Sequence, residues 1–307
     1  MTASGTPVRD LLRDAAARLA AAAVPSPAVD AELLLADILG VERGRLVAAG
    51  PVDPAARARF DAAVQRRSAR EPLQHIVGRA WFGPVDVAVG PGVFVPRPET
   101  ESLFEWALGH WANPPVSRDR PGTVVDLCSG SGALAIALAH QLPDARVHAV
   151  ELSEDALVWL RRNVSEQPAR VADRIVVHRA DVTDPGVLTR LIGAGAADLI
   201  VSNPPYIPLA AGERLDPEVR DHDPHVALFG GADGMSIIAP MLRSILAIAR
   251  LHAPVAIEHD DTTAELVVTA LADAGFTDIA ARTDLAGRPR FVTGRAPTVD
   301  SMKGSSS

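Results

Sequence analysis

Thr123-Val124-Val125-Asp126-Leu127-Cys128-Ser129-Gly130-Ser131-Gly132 carries an apolar strand into a glycine-rich turn, and Ala133 to Gln141 continues it as a helix. Glycines at that turn let the backbone pass close to a ligand at the strand's carboxyl end, where open α/β sheets bind ligands. Outward from this unit the alternation continues. Arg146 to Val150, Arg174 to His178, Asp198 to Val201, Val255 to Glu258 and Phe276 to Ala280 read as strands, with Phe291-Val292-Thr293 as a last edge strand. Glu154 to Val164, Met235 to Leu251 and Thr263 to Ala274 read as helices. Such alternation predicts an α/β fold with a doubly wound, mainly parallel sheet of seven strands.

Before that sheet the pattern differs. From residue 7 to about 70, Leu11, Leu12, Ala15, Leu19 and then Leu33, Leu34, Leu35, Ile38, Leu39 recur at helical spacing, punctuated by Pro25-Ser26-Pro27, Gly40 and Gly50-Pro51. Short β-like runs follow: Trp81-Phe82, the alternating Val85, Val87 and Val89, then Val93-Phe94-Val95. The expected division is a helical domain over 1–73, a β-hairpin connector over 74–97, the sheet domain over 98–297 and a small polar tail, 298–307, that is disordered or an appended remnant. Pro96-Arg97-Pro98-Glu99-Thr100-Glu101 opens a helix, with Glu99 and Glu101 complementing its dipole.

Composition narrows the function. Of 307 residues 48% are apolar, enough to fill a core, and the formal net charge is −8, with Lys303 the sole lysine. No global basic field exists to collect nucleic acid. The arginines 57, 59, 66, 67 and 70 are read as a solvated helix face. Cys128 is the only cysteine, which excludes an intrachain disulfide and a cysteine-based zinc site and fits a reducing, cytoplasmic setting. Met1 to Gly5 lacks a basic region followed by an apolar core, and Arg18 breaks the alanine-rich stretch 15–24, so neither a signal peptide nor a membrane span is expected.

Two constellations carry chemistry. Glu151 ends the second strand of the sheet and suits a bidentate grip on ribose hydroxyls; Asp181 follows the third and can face an adenine amino group. After the fourth strand stands Ser202-Asn203-Pro204-Pro205-Tyr206, which holds the chain's only tyrosine. Proline lacks an N–H and fixes φ, and it forces the residue before it into extended backbone. The turn is therefore rigid and rich in acceptors. A planar NH2 group can give one hydrogen to the Asn203 side-chain oxygen and one to the Pro204 carbonyl while the Tyr206 ring covers its face. Gly130-Ser131-Gly132-Ala133-Leu134-Ala135 also fits a dinucleotide fingerprint. A dinucleotide fold, however, gives no reason for Asn-Pro-Pro-Tyr, whereas a methyl-donor enzyme must set a nucleophilic nitrogen opposite a sulfonium.

Together these residues resemble the class I methyltransferases, and more narrowly the protein-glutamine amide methyltransferases of peptide chain release factors. Asp126 to Gly132 looks like their donor loop, Ser202 to Tyr206 like their substrate motif, and Gly92-Val93-Phe94-Val95-Pro96-Arg97-Pro98-Glu99-Thr100-Glu101 like the segment before the donor domain. The resemblance implies methyl transfer from S-adenosylmethionine to the glutamine of a GGQ motif, with S-adenosylhomocysteine as product. It implies that Cys128, Ser129, Gly130, Ser131 and Gly132 approach the donor, that Glu151 holds its ribose, and that Asp181 and Val182 lie by its adenine. Asn203, Pro204, Pro205 and Tyr206 would hold the glutamine, with Asn203 near both ligands and Asn203, Pro204 and Tyr206 carrying catalysis. Cys128 departs from the family's usual glycine, and its Cβ asks for room and an ordinary φ.

The partner expected from the resemblance is a release factor, with no membrane and no direct nucleic-acid binding. No metal is expected: His222-Asp223-Pro224-His225 has no third cluster and is read as a loop packed near the substrate cleft. Glu258-His259-Asp260 is read either as an acid/base group or as a strand-end turn. Asn-Pro-Pro-Tyr also occurs in DNA adenine methyltransferases, so an adenine amino group remains an alternative substrate. A nucleotide-binding interaction protein without turnover is a third reading.

Overall fold

The computed structural model describes residues 5–111 and 121–297; the tail 298–307 lies outside them. Two compact units divide the chain: Met1–Arg79 with Asp216–His222, and Ala80–Leu215 with Asp223–Ser307.

In the first unit, α1 (Val8–Ala21) buries Leu11, Ala15 and Leu19, one residue per turn on a single face. Helix α2 (Pro27–Leu39) starts on a proline at its first turn and stops at Gly40 in the left-handed region. Helix α3 (Pro54–Ser68) is capped by Asp53, whose Oδ1 accepts the N–H groups of Ala55 and Ala56 at 2.8 and 2.9 Å. The short α4 (Leu73–Val77) follows. Leu19, Leu34, Leu35, Phe60 and Val64 form the centre of their common core.

The arginine face departs from expectation. Arg67 is only 5% exposed. It pairs with Asp30 at 2.7 Å and with Glu218 at 2.7 Å, and Arg70 pairs with the same Glu218 at 2.5 Å. The two guanidinium groups hold the Glu218 carboxyl down at about 2 against the opposing effect of its burial. A buried charge persists only when paired and hydrogen-bonded, so these two arginines are structural, while Arg57, Arg59 and Arg66 remain at the surface. Spacing along α3 alone did not show which positions would meet carboxylates from distant segments.

A hairpin follows, β1 (Arg79–Phe82) and β2 (Val85–Ala88), turning at Gly83-Pro84; from Ala80 on it belongs to the second unit. Ala80, Phe82, Val85 and Val87 enter the same apolar core as the sheet. Val93-Phe94-Val95 forms no strand; Val93 and Val95 are buried as loop residues. Helix α5 (Glu101–Trp111) then precedes β3 (Gly122–Leu127), α6 (Ala133–Gln141), β4 (Ala145–Glu151), α7 (Glu154–Ser165), α8 (Ala169–Ala172), β5 (Ile175–Arg179), α9 (Pro185–Ile192) and β6 (Leu199–Ser202). After β6 come α10 (Pro217–Arg220), which belongs to the first unit, α11 (His225–Leu228), α12 (Ile238–Ile248), β7 (Pro254–Glu258), α13 (Ala264–Asp273), β8 (Thr277–Thr283) and β9 (Pro289–Arg295).

The sheet has seven strands in the order β5-β4-β3-β6-β7-β9-β8, parallel except at β9. The chain leaves β3 to opposite sides, so a topological switch point lies there. Strand β9 is interior, not the edge strand expected. Phe291, Val292 and Thr293 are all buried, whereas β8 has mostly half-buried or exposed residues and takes the edge. Helices α5, α6 and α7 cover one face and α9, α12 and α13 the other. Burial on both sides explains why β3 reads as a continuous apolar run rather than an alternating one.

Candidate active site at the carboxyl edge of the sheet

Parallel register sets the site. Leu127 of β3 pairs with Val150 of β4 and with Ser202 of β6, and Ser202 pairs in turn with Ile257 of β7. The next residue on each strand is therefore Glu151, Cys128, Asn203 and Glu258, placed side by side just past the carboxyl edge. The Ser202 hydroxyl fastens the middle pair by donating to the Leu127 carbonyl at 2.8 Å. Above this row opens a cleft lined by residues from the ends of β3, β4 and β6.

Cys128, Ser129, Gly130, Ser131, Glu151, Asp181, Val182, Asn203, Pro204, Pro205 and Tyr206 all line this cleft, as does Asp126. Gly132 does not. It stands at the start of α6 with φ +84, and a Cβ there would come within 2.4 Å of Leu160 Cδ1. Its lack of a side chain serves close packing between the loop and α7. Cys128 corrects a second expectation: its φ is +63, so the loop keeps a glycine-like conformation at a residue that carries a Cβ. Its thiol is pushed well above the ordinary value by burial and by the neighbouring Glu151 and Asp126, which holds it in the unreactive form.

Glu151 is busier than a free ribose clamp. Its Oε2 accepts the Gly130 N–H at 2.8 Å, and its Oε1 accepts those of Leu152 and Ser153, both at 2.8 Å. A carboxylate has about four acceptor sites, so one remains, on Oε2. The side chain thus shapes the loop first and can take one hydroxyl, not two. Asp181 spends Oδ1 on the Thr183 N–H and hydroxyl, at 2.8 and 2.7 Å. Asp126 is 1% exposed with Oδ2 unpartnered, and burial, with Glu151 adding to it, pushes its carboxyl up to about 7.

On the other side of the row, Asn203 Nδ2 donates to Thr100 Oγ1 at 3.0 Å. That contact takes the amine end of the amide and leaves its oxygen for the cleft. Among the described residues no N–H donates to the Pro204 carbonyl. The Tyr206 hydroxyl donates to Glu258 Oε1 at 2.9 Å. Burial pushes the Glu258 carboxyl up to about 7 and the Tyr206 phenol well above its ordinary value. The chain beyond Tyr206 is clasped by Leu228–Gly231: Ile207 N–H donates to Leu228 O at 2.8 Å, and Gly230 N–H to Ile207 O at 3.0 Å. Gly234 is required here, since a Cβ would fall 2.3 Å from Tyr206 O.

Sequence reasoning passed over Thr100 and Arg97. The Pro-Arg-Pro-Glu-Thr-Glu segment reads as a helix start, and it is one, through a 3-10 turn at Pro98–Thr100. Yet its hydroxyl orients Asn203, and Arg97 pairs with the buried Asp223 while its guanidinium lies 5.0 Å above the Phe94 ring. Asp223 therefore anchors the start of α11, whose cap Pro224 and helical Val226, Ala227 and Leu228 line the cleft. Among the described residues no group of three or more His, Cys, Asp or Glu is arranged to hold a metal.

Comparison with known proteins gives a consistent result. The description "PrmC N-terminal domain" matches residues 10–78 and "Methyltransferase small domain" matches residues 114–216. The release factor glutamine methyltransferase of Mycolicibacterium smegmatis is 51% identical over 94% of this chain and 97% of its own. Those of Corynebacterium glutamicum and Streptomyces coelicolor are each 47% identical, over 93% and 91% of this chain and 98% and 94% of theirs. Among solved structures, the hMettl16 catalytic domain in complex with a 3'UTR hairpin superposes with a TM-score of 0.53 at 13% identity, over 81% of this chain and 82% of that one; that likeness concerns the fold alone. Identity of this extent over nearly the whole chain, on a sheet that brings a glycine loop and Asn-Pro-Pro-Tyr to one edge, places the chain in the release factor glutamine methyltransferase family.

Proposed function

We propose that this protein transfers a methyl group from S-adenosylmethionine to the side-chain amide nitrogen of a glutamine in a peptide chain release factor. The observation that carries the reading is the pairing of Asn203 and Pro204: an amide oxygen oriented by Thr100 and a carbonyl to which no N–H among the described residues donates, both lining the cleft that the donor loop also lines.

The cleft fits the donor chemically. Asp126 offers a buried, unpartnered oxygen, the site a cationic ammonium group would satisfy. Ser129, Gly130 and Ser131 would border the donor, Glu151 would take one ribose hydroxyl through Oε2, and Val182 and Asp181 would flank the adenine. When bound, the donor supplies an electrophilic methyl on a sulfonium.

The rest is done by the chain. Asn203 Oδ1 and the Pro204 carbonyl accept hydrogen bonds from the two N–H groups of the substrate amide, pulling density back onto a nitrogen whose lone pair is otherwise delocalised into its carbonyl. As the nitrogen gains the methyl and the sulfur–methyl bond breaks, one N–H proton passes to solvent and the other stays on the methylated amide. Tyr206 and Pro205 wall the planar amide. The prolines keep this receptor rigid without a ligand, and positioning of that kind supplies roughly 7–11 kcal/mol of a barrier. A general base would add only about 10²–10⁴-fold.

The helical unit, residues 1–73 of the expected division, is the surface proposed to engage the release factor, and the hairpin, 74–97, its connector to the transferase domain, 98–297. The net charge of −8 supports a protein partner rather than nucleic acid. No helix among the described residues is long and apolar enough to cross a membrane, and a cytoplasmic setting, where release factors act, completes the proposal. Incubation of the protein with a release factor and S-adenosylmethionine, followed by peptide mass spectrometry, tests it. One added methylene on a glutamine is the expected result; donor binding without a methylated glutamine would overturn it.

A further inference from the structure

Glu258 occupies the end of β7 at 1% exposure, beside Asn203 on the row, yet it does not line the cleft. Its Oε1 accepts the Tyr206 hydroxyl at 2.9 Å, a contact across 52 residues of sequence. The Thr100 hydroxyl faces the same carboxylate while accepting the Asn203 amide at 3.0 Å. Arg290 stands close enough to act electrostatically on both Glu258 and Tyr206. Two cleft residues on the substrate side thus lean on one buried acid from behind. Burying a carboxylate is costly, and its Oε2 has no hydrogen-bond partner. A neutral acceptor would satisfy a tyrosine at less cost. What this acid adds is a single group that the hydroxyls of Tyr206 and Thr100 both face, and hence a better-fixed ring.

We propose that Glu258 is a positioning residue for methyl transfer: it fixes the Tyr206 ring directly and the Asn203 amide through Thr100, so that the substrate nitrogen is presented in line. The inference rests on the glutamine-transfer reading above. Glu258 acts as a common anchor, so its loss already includes the constraint that the Tyr206 hydroxyl supplies.

Wild type, Tyr206→Phe, Glu258→Gln and the double variant are compared for donor affinity by titration calorimetry and for kcat and KM with a release factor as substrate. Each single variant is expected to lower kcat by about tenfold, the double by no more than either single, and donor Kd to stay within about twofold. Wild-type kcat in Glu258→Gln, or single effects that multiply to about a hundredfold in the double, overturns the proposal. A donor Kd weakened in step with kcat overturns it too, since that marks a merely structural role. Should Glu258→Gln fail to fold, Thr100→Val probes the same link: a lowered kcat with intact donor affinity supports it, and wild-type kcat refutes it. If instead wild type itself methylates no glutamine, the parent reading has failed and not this one.

Discussion

The loops after β3 and after β6 leave adjacent strands at the same height, and they are made rigid by opposite chemistry. Cys128 to Gly132 turns through left-handed backbone at Cys128, Gly130 and Gly132 and is held from outside, by Glu151 accepting the Gly130 N–H. Asn203 to Tyr206 is stiffened from within by two prolines and needs only side-chain anchors at Thr100 and Glu258. The first loop depends on a carboxylate and on backbone strain. The second presents carbonyl and amide oxygens that are already in place. A loop that must wrap a ligand is built from turns and borrowed acceptors, and a loop that must grip one NH2 is built from proline.

This contrast predicts separable damage. Asn203→Ala should break the acceptor loop alone: transfer to a release factor falls by about 10²–10³-fold, the scale of losing one oriented polar group. Calorimetry should find donor affinity nearly unchanged, and a parallel loss of binding would merge the two loops into one site. Glu151→Ala should break the other loop. It strands three backbone N–H groups that met a charged acceptor, so donor affinity should weaken by roughly 10–100-fold at little change in kcat under saturating donor. If kcat falls and binding holds, the proposed division of labour is reversed.

Protonation sharpens the comparison, because each side has one buried acid. Asp126 and Glu258 both keep their proton to about pH 7 when folded, whereas unfolded carboxyls ionise near 4. Between those values the folded state binds the extra protons, so stability is highest at the acid end and declines as pH rises toward 7. The decline is at most about 1.4 kcal/mol per pH unit for each group, and it ends above the folded pKa. Thermal melts from pH 5 to 8 should show a falling Tm. Asp126→Asn should remove its share of the slope, and an unchanged slope would refute the burial argument.

The smallest expected effect concerns Cys128. At φ +63 a β-branched residue is strained by about 1–3 kcal/mol, so Cys128→Val should lower Tm and donor affinity. Cys128→Gly, in which relieved strain and greater unfolded-chain freedom oppose each other, should stay within about 1 kcal/mol of wild type. A Tm for Cys128→Val equal to that of wild type would mean that the loop relaxes out of the left-handed region.

Much of the fold was legible because its signals are local. Apolar runs, glycine turns and the prolines of Asn-Pro-Pro-Tyr act over a few residues, and the strand and helix positions follow from them. Phe291 to Thr293 shows where that reading stops: a short strand looks like an edge until its partners on both sides are known. Arg67 was misread for the same reason, since Asp30 lies 37 residues away along the chain. Thr100 could have been singled out only by knowing that it meets Asn203, 103 residues later.

By itself, then, the sequence determined which groups this protein has at its strand ends: a glycine loop, an acid after the second strand, and a rigid acceptor turn after the fourth. Backbone propensity and the chemistry of glycine and proline suffice for that. Only the tertiary structure decided how they meet. Parallel register set Glu151, Cys128, Asn203 and Glu258 in one row, spent three of the acceptor sites of Glu151 on backbone, and joined Tyr206 to Glu258. Those contacts join segments far apart in the chain, and strand pairing, not local preference, selects them.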